Sequence, residues 1–168
     1  MVLADAVLNG RRLRERVDDF CAKISVYLTA SAPLMLRIAL GIVFLWFGAL
    51  KFFPGLSPAE ELAGKTISVL TAGHIPPNIG VPLLAVWEST IGLGLLLLGP
   101  RRIFLAMLLL EMPGTLLPFV FFPHETFTHV PFVPTLEGQY IIKNLVLIAG
   151  ACALLGSKSR RTNSRAVV

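Results

Sequence analysis

The chain has 168 residues, 55% of them hydrophobic and 15% charged, with a formal charge of +5. So much apolar side chain, at a mean hydropathy of +0.75, excludes an ordinary soluble domain and points to the membrane. The basic balance does not signal nucleic acid, because the arginines and lysines flank apolar stretches and sit on no aromatic-lined domain.

Residues 1–32 form a basic segment with Arg11, Arg12, Arg14, Arg16 and Lys23. It lacks the compact apolar run of a cleavable signal. Val17, Phe20, Cys21, Ile24 and Leu28 recur at helical spacing, which predicts an amphipathic interfacial helix on the inner membrane surface. The alternative is a partly disordered basic tail.

A span needs about 20 mostly apolar residues. Four stretches qualify: Pro33–Phe53, Val81–Leu98, Ile103–Phe122 and Gly138–Leu155. Residues 33–156 are therefore read as one all-α integral membrane four-helix bundle, followed by a basic, disordered tail over 157–168. The basic N-terminal segment, Arg101 and Arg102, and the tail residues Lys158, Arg160, Arg161 and Arg165 alternate with connections that hold only Lys65. The positive-inside rule puts both termini in the cytoplasm, as expected for a prokaryotic inner membrane protein.

In the first span Arg37, Gly41, Phe44, Gly48 and Lys51 share one helical stripe. The two cations either face the bundle interior or snorkel to the headgroups. Next, Ser57-Pro58-Ala59-Glu60 has the spacing of a capping box, which predicts a short outer-loop helix that Gly73 stops. The second span carries Ala85, Glu88, Gly92 and Leu95 on one face, and the third carries Met107, Glu111, Thr115 and Pro118. Pro113 and Pro118 invite a kink. The fourth places Gln139, Lys143, Leu147 and Gly150 together, flanked by Tyr140 and Asn144.

A charge at mid-membrane costs about 2.5–3.5 kcal/mol and is usually paired or faces a wet cavity. Lys51, Glu88, Glu111 and Lys143, with Arg37, are read as a buried polar cluster open to the outer side, in a pocket lined by Gly41, Gly48, Gly92, Tyr140 and Asn144. The alternative is a set of ion pairs that fixes helix register without chemistry.

His74, His124 and His129 all fall in loops. A four-helix b-haem protein needs inward-facing histidines on its spans, so no haem b is expected. These histidines are weak metal candidates, with no tight ligand spacing. Cys21 and Cys152 form no Cys-x-x-Cys motif, so the chain runs no dithiol cycle of its own. Cys152, among small residues, reads as a packing residue.

The run Leu36-Arg37-Ile38-Ala39-Leu40-Gly41-Ile42-Val43-Phe44-Leu45-Trp46-Phe47-Gly48-Ala49-Leu50-Lys51-Phe52 resembles the first helix of DoxX-like membrane proteins. Those share an Arg, a Gly, an aromatic, a second Gly and a Lys at this spacing. Glu88-Ser89-Thr90-Ile91-Gly92 and Gly138-Gln139-Tyr140-Ile141-Ile142-Lys143-Asn144 are similar to later segments of the same family. The likeness covers roughly residues 33–156, and its matching positions are Arg37, Gly41, Gly48, Lys51, Glu88 and Lys143.

The resemblance implies a membrane subunit of a thiol-, sulfur- or quinone-linked redox complex, not catalytic alone. Some relatives belong to thiosulfate:quinone oxidoreductases, and others are tied to oxidative-stress resistance. It further implies a soluble redox partner protein, with a quinone as the possible cofactor. A homo-oligomer is compatible with the small bundle. A proton-linked permease using Glu88 and Glu111 and a non-catalytic scaffold are the alternatives.

Overall fold

A computed structural model describes residues 2–97 and 101–163. The chain is mostly helical. Helix α1 spans Val2–Leu50, α2 Glu60–Leu70, α3 Pro77–Leu96, α4 Arg101–Leu116, α5 Pro118–Phe121, α6 Pro123–Thr126 and α7 Leu136–Asn163. Strands β1 (Phe127–His129) and β2 (Val133–Pro134) form an antiparallel ribbon before α7. The segments Arg16–Leu50, Pro77–Leu96, Arg101–Phe121 and Leu136–Ser157 are long and apolar enough to cross a membrane. This is a multi-pass arrangement; the last three spans lie within about a turn of their expected bounds, whereas the first apolar helix begins at Arg16, well before the expected Pro33.

Two compact units divide the chain, Met1–Met35 and Leu36–Val168. In the first, the expected amphipathic helix is helical, but as part of α1 rather than as a separate element. Its apolar side chains Val17, Phe20, Ile24 and Leu28 are exposed. The Thr29 and Ser31 hydroxyls donate back to the Ser25 and Tyr27 carbonyls, at 2.7 and 2.9 Å. Such bonds bend helices slightly, and they precede Pro33, whose ring removes one ladder hydrogen bond.

In the second unit four helices pack in the order α1, α3, α4, α7. Lipid supplies no hydrophobic drive between helices, so close packing through small residues must hold them. Glycine provides it. A Cβ on Gly41 would stand 2.8 Å from the Leu96 side chain, and one on Gly48 2.7 Å from the Ser89 nitrogen. One on Gly92 would collide with the Leu45 backbone, and one on Gly94 with the Phe104 ring. Gly150 lies against Leu36 and closes α7 onto α1. Leu40, Phe44, Ile91, Leu95, Leu105, Leu108, Met112 and Ala151 form the core these contacts enclose.

The third span breaks as its prolines suggested, at Leu117. Pro118 has no N–H to continue the ladder, and the Leu117 N–H turns to the Gly114 carbonyl at 3.3 Å. Pro113 stays inside α4.

The loop helix α2 forms, but without the expected capping box. Its N-cap is Ala59, with no side-chain cap. The Glu60 carboxylate instead accepts the Gly55 N–H at 2.8 Å. The C-terminus behaves as read: Ala72 and Gly73 take positive φ, and the Gly73 N–H reaches the Ser68 carbonyl at 2.7 Å.

Helix α7 runs from the fourth span on to Asn163, into the basic tail, and 164–168 lie outside the described residues. A polar helix end needs no buried face when it merely continues a stable span. Cys152 is exposed, not a packing residue.

Candidate functional site

The site grows from the α1–α3 contact. Gly48 lets α3 approach so closely that its missing Cβ would lie 2.9 Å from the Glu88 Cβ. Three residues on, Lys51 follows the last turn of α1. Its ammonium donates to the Glu88 carboxylate at 2.6 Å and more weakly to the Phe47 carbonyl at 3.4 Å. A cation there also complements the negative end of the helix dipole. The two side chains are only 9% and 11% exposed, so this is a buried ion pair and Lys51 does not snorkel.

Glu111 joins from α4. Gly94 of α3 meets Phe104 of α4; following the antiparallel register upward puts Glu88 level with Glu111. Glu111 lies within electrostatic reach of both Glu88 and Lys51. Its two carboxyl oxygens are buried and accept no hydrogen bond. The buried Ser89 hydroxyl, beside Gly48, is likewise unpartnered. The site thus holds one ammonium and two carboxyl groups.

The other expected members stay away. Arg37 is buried, at 5% exposed, but it sits fourteen residues below Lys51 on α1, about 21 Å along the axis. Lys143 is exposed, with its ammonium 5.0 Å from the Tyr140 ring centroid. The physical reason is register. Leu36 packs on Gly150, which sets Lys143 level with Val43, about 12 Å below Lys51. Its apparent match in depth to Glu88 came from counting residues from span ends that the structure shifts. Tyr140 is exposed and Asn144 half-buried, and neither lines the site. Gly41, Gly48 and Gly92 do not border a pocket either, because neighbouring chain occupies the space above them.

An open groove of about 390 Å³ lies on another face of α1, lined by Ile42, Trp46, Ala49, Phe53 and Leu96. It suits hydrocarbon. A quinone ring needs hydrogen-bond donors for its oxygens, and these side chains carry none that face it, so the groove does not fit a quinone headgroup.

The loops hold a second polar group that sequence reading missed. Lys65 on α2 bonds Glu61 at 2.9 Å and Glu125 on α6 at 3.0 Å, which ties the loop helix to the segment before the ribbon. Its hydrogen bond, then its charge, hold Glu61 below the usual carboxylate range. The hydrogen bonds to Glu61 and Glu125 raise Lys65 in turn. The Thr135 hydroxyl accepts the Gly138 N–H at 3.2 Å and donates to the Glu125 carbonyl at 2.8 Å. That makes Thr135 the N-cap of α7, a signal legible in Thr135-Leu136-Glu137 before an apolar run. His74 bonds the Thr71 carbonyl through Nδ1 at 2.7 Å, while His124 and His129 are exposed. Among the described residues no three His, Cys, Asp or Glu side chains converge on a metal position.

Comparison with known proteins adds no relative: no family model matches the chain, and no match was found among curated proteins or solved structures.

Proposed function

We propose that the protein is a DoxX-like membrane subunit of a redox complex, in which Lys51, Glu88 and Glu111 bind and pass a proton. The observation that carries this reading is Glu111, buried and unpartnered beside the Lys51–Glu88 pair. One ammonium balances one carboxylate. In a low-dielectric interior the second carboxyl is balanced only by a bound proton, which makes the site a proton store rather than a plain ion pair.

A redox partner supplies the electron chemistry, since the chain has no dithiol and its groove fits no quinone ring. In this reading both termini face the cytoplasm of a prokaryotic inner membrane. The segregation of charge supports that orientation: Arg101 and Arg102 start α4 at one end, and Glu60, Glu61 and Glu125 cluster at the α2 end. The triad then lies toward the outer side.

The test is recovery of the tagged chain from native membranes in mild detergent. A stoichiometric thiol or sulfur enzyme, released by Glu88→Gln or Lys51→Met, supports the redox subunit. Recovery of the chain alone contradicts it. The permease reading rests on the same two acids, and proton flux in liposomes that Glu111→Gln abolishes favours it instead.

A further inference from the structure

We propose that Arg37 is the centre of a binding site for a phosphate-type oxyanion at the bundle end opposite α2. The guanidinium is 5% exposed, and its Nε and Nη1 are buried with no hydrogen-bond partner. An arginine does not shed its charge on burial, so the charge calls for an anion.

The bundle supplies none. Residues 36–168 contain six carboxylate side chains, on Glu60, Glu61, Glu88, Glu111, Glu125 and Glu137. The first two and Glu125 belong to the α2 end, Glu137 opens α7 beside the ribbon, and Glu88 and Glu111 are level with Lys51. That leaves every one of them on the far side of the core, about 16 Å or more from Arg37 along the bundle.

Other cations collect at the same end. Gly41 meets Gly92 and Leu96, and Gly48 meets Glu88 and Ser89. Carried one turn further, this register sets Arg37 level with the start of α4, where Arg101 and Arg102 are exposed. Three guanidinium groups thus stand at one depth of the bundle, with no carboxylate side chain at that depth among the described residues of the second unit. Their planar N–H donors match the oxygens of a phosphate group. Leu97 and Ile103, which flank this depth at the end of α3 and in α4, are exposed, an apolar surface of the kind acyl chains cover. The phosphate is that of an anionic lipid headgroup or free inorganic phosphate, which share this chemistry.

The test uses the purified full chain, stripped of lipid in nonionic detergent. Native mass spectrometry counts retained phosphatidylglycerol against phosphatidylcholine, with and without millimolar inorganic phosphate. The expected result is one phosphatidylglycerol held with about tenfold preference, a preference lost in R37Q and weakened in R37K. Indifference to inorganic phosphate identifies the lipid as the source; displacement by it, with thermal protection by phosphate alone, identifies the free anion. Equal retention of both lipids by the native chain, with no protection by phosphate, overturns the proposal. So does an undiminished preference in folded R37Q. Should R37Q fail to fold, the native chain and the folded R101Q/R102Q variant decide, the latter expected to show a reduced preference.

Discussion

Replacing Glu88 by Gln probes whether the site holds two groups or three. The substitution leaves the Lys51 ammonium, 9% exposed, without the carboxylate 2.6 Å away. Breaking a buried pair from one side costs about 3–5 kcal/mol when nothing replaces the lost partner. Here Glu111 stands beside it with both oxygens unpartnered, and its carboxylate can take up the ammonium. The loss is then that of one well-placed charged hydrogen bond, about 1.5–3 kcal/mol at most. In the double variant E88Q/E111Q no carboxylate remains, and the full cost of about 3–5 kcal/mol returns. That is a change of between roughly a hundredfold and several thousandfold in the unfolding equilibrium. Reversible unfolding in mixed micelles, followed by circular dichroism, reads both variants. E88Q as costly as E88Q/E111Q would show that Glu111 does not share the site, and would refute the argument for a triad.

Gly92→Ala drives a methyl group into the Leu45 backbone, so it should destabilise by about 1–3 kcal/mol or more. Gly114→Ala meets nothing within 4 Å, and as a helix-interior change it should stabilise by up to about 1 kcal/mol in the same unfolding assay. Lys143→Met should leave the triad untouched: combined with E88Q, its effect adds within about 0.5 kcal/mol, as for sites more than about 10 Å apart. The Lys65 hub should respond at both pH extremes. Glu61, held low by Lys65, contributes fully above its unfolded value of about 4.3 and loses that contribution as pH falls through its lower folded value. Lys65, raised by its two partners, contributes fully below about 10.4 and loses that contribution as pH rises through its higher folded value. Protection factors of the α2 amides, measured against the intrinsic exchange rate at each pH, should therefore be flat between those limits and lower beyond each, and Lys65→Met should remove both limbs.

The stripe Arg37, Gly41, Phe44, Gly48, Lys51 was legible because helical period alone decides which residues share a face, and the whole stripe turns inward. The face Ala85, Glu88, Gly92, Leu95 followed for the same reason, each of its members being buried. Depth was another matter. Period says nothing of how far one helix slides past another, so Lys143 was set beside Glu88 although the Leu36–Gly150 contact holds it a turn or two away. Its face was read correctly only in part: Gly150 is buried and Leu147 packs on the core, but Gln139 and Lys143 are exposed, and Gly138, Ile141 and Ala151 are buried in their place. The loop from Pro123 to Thr135 defeated pattern reading because its ribbon rests on backbone pairing and on Thr126 and Thr135, not on hydrophobic alternation. The Lys65–Glu125 bond spans sixty residues, a separation that no local rule reaches.

The central claim is that a proton resides among Lys51, Glu88 and Glu111. Infrared spectroscopy of the native chain in lipid at neutral pH tests it most directly. The native chain should show the carbonyl band of a protonated carboxyl group, absent in Glu111→Gln and shifted in Glu88→Gln. A native spectrum without that band, or one that Glu111→Gln leaves unchanged, would contradict it.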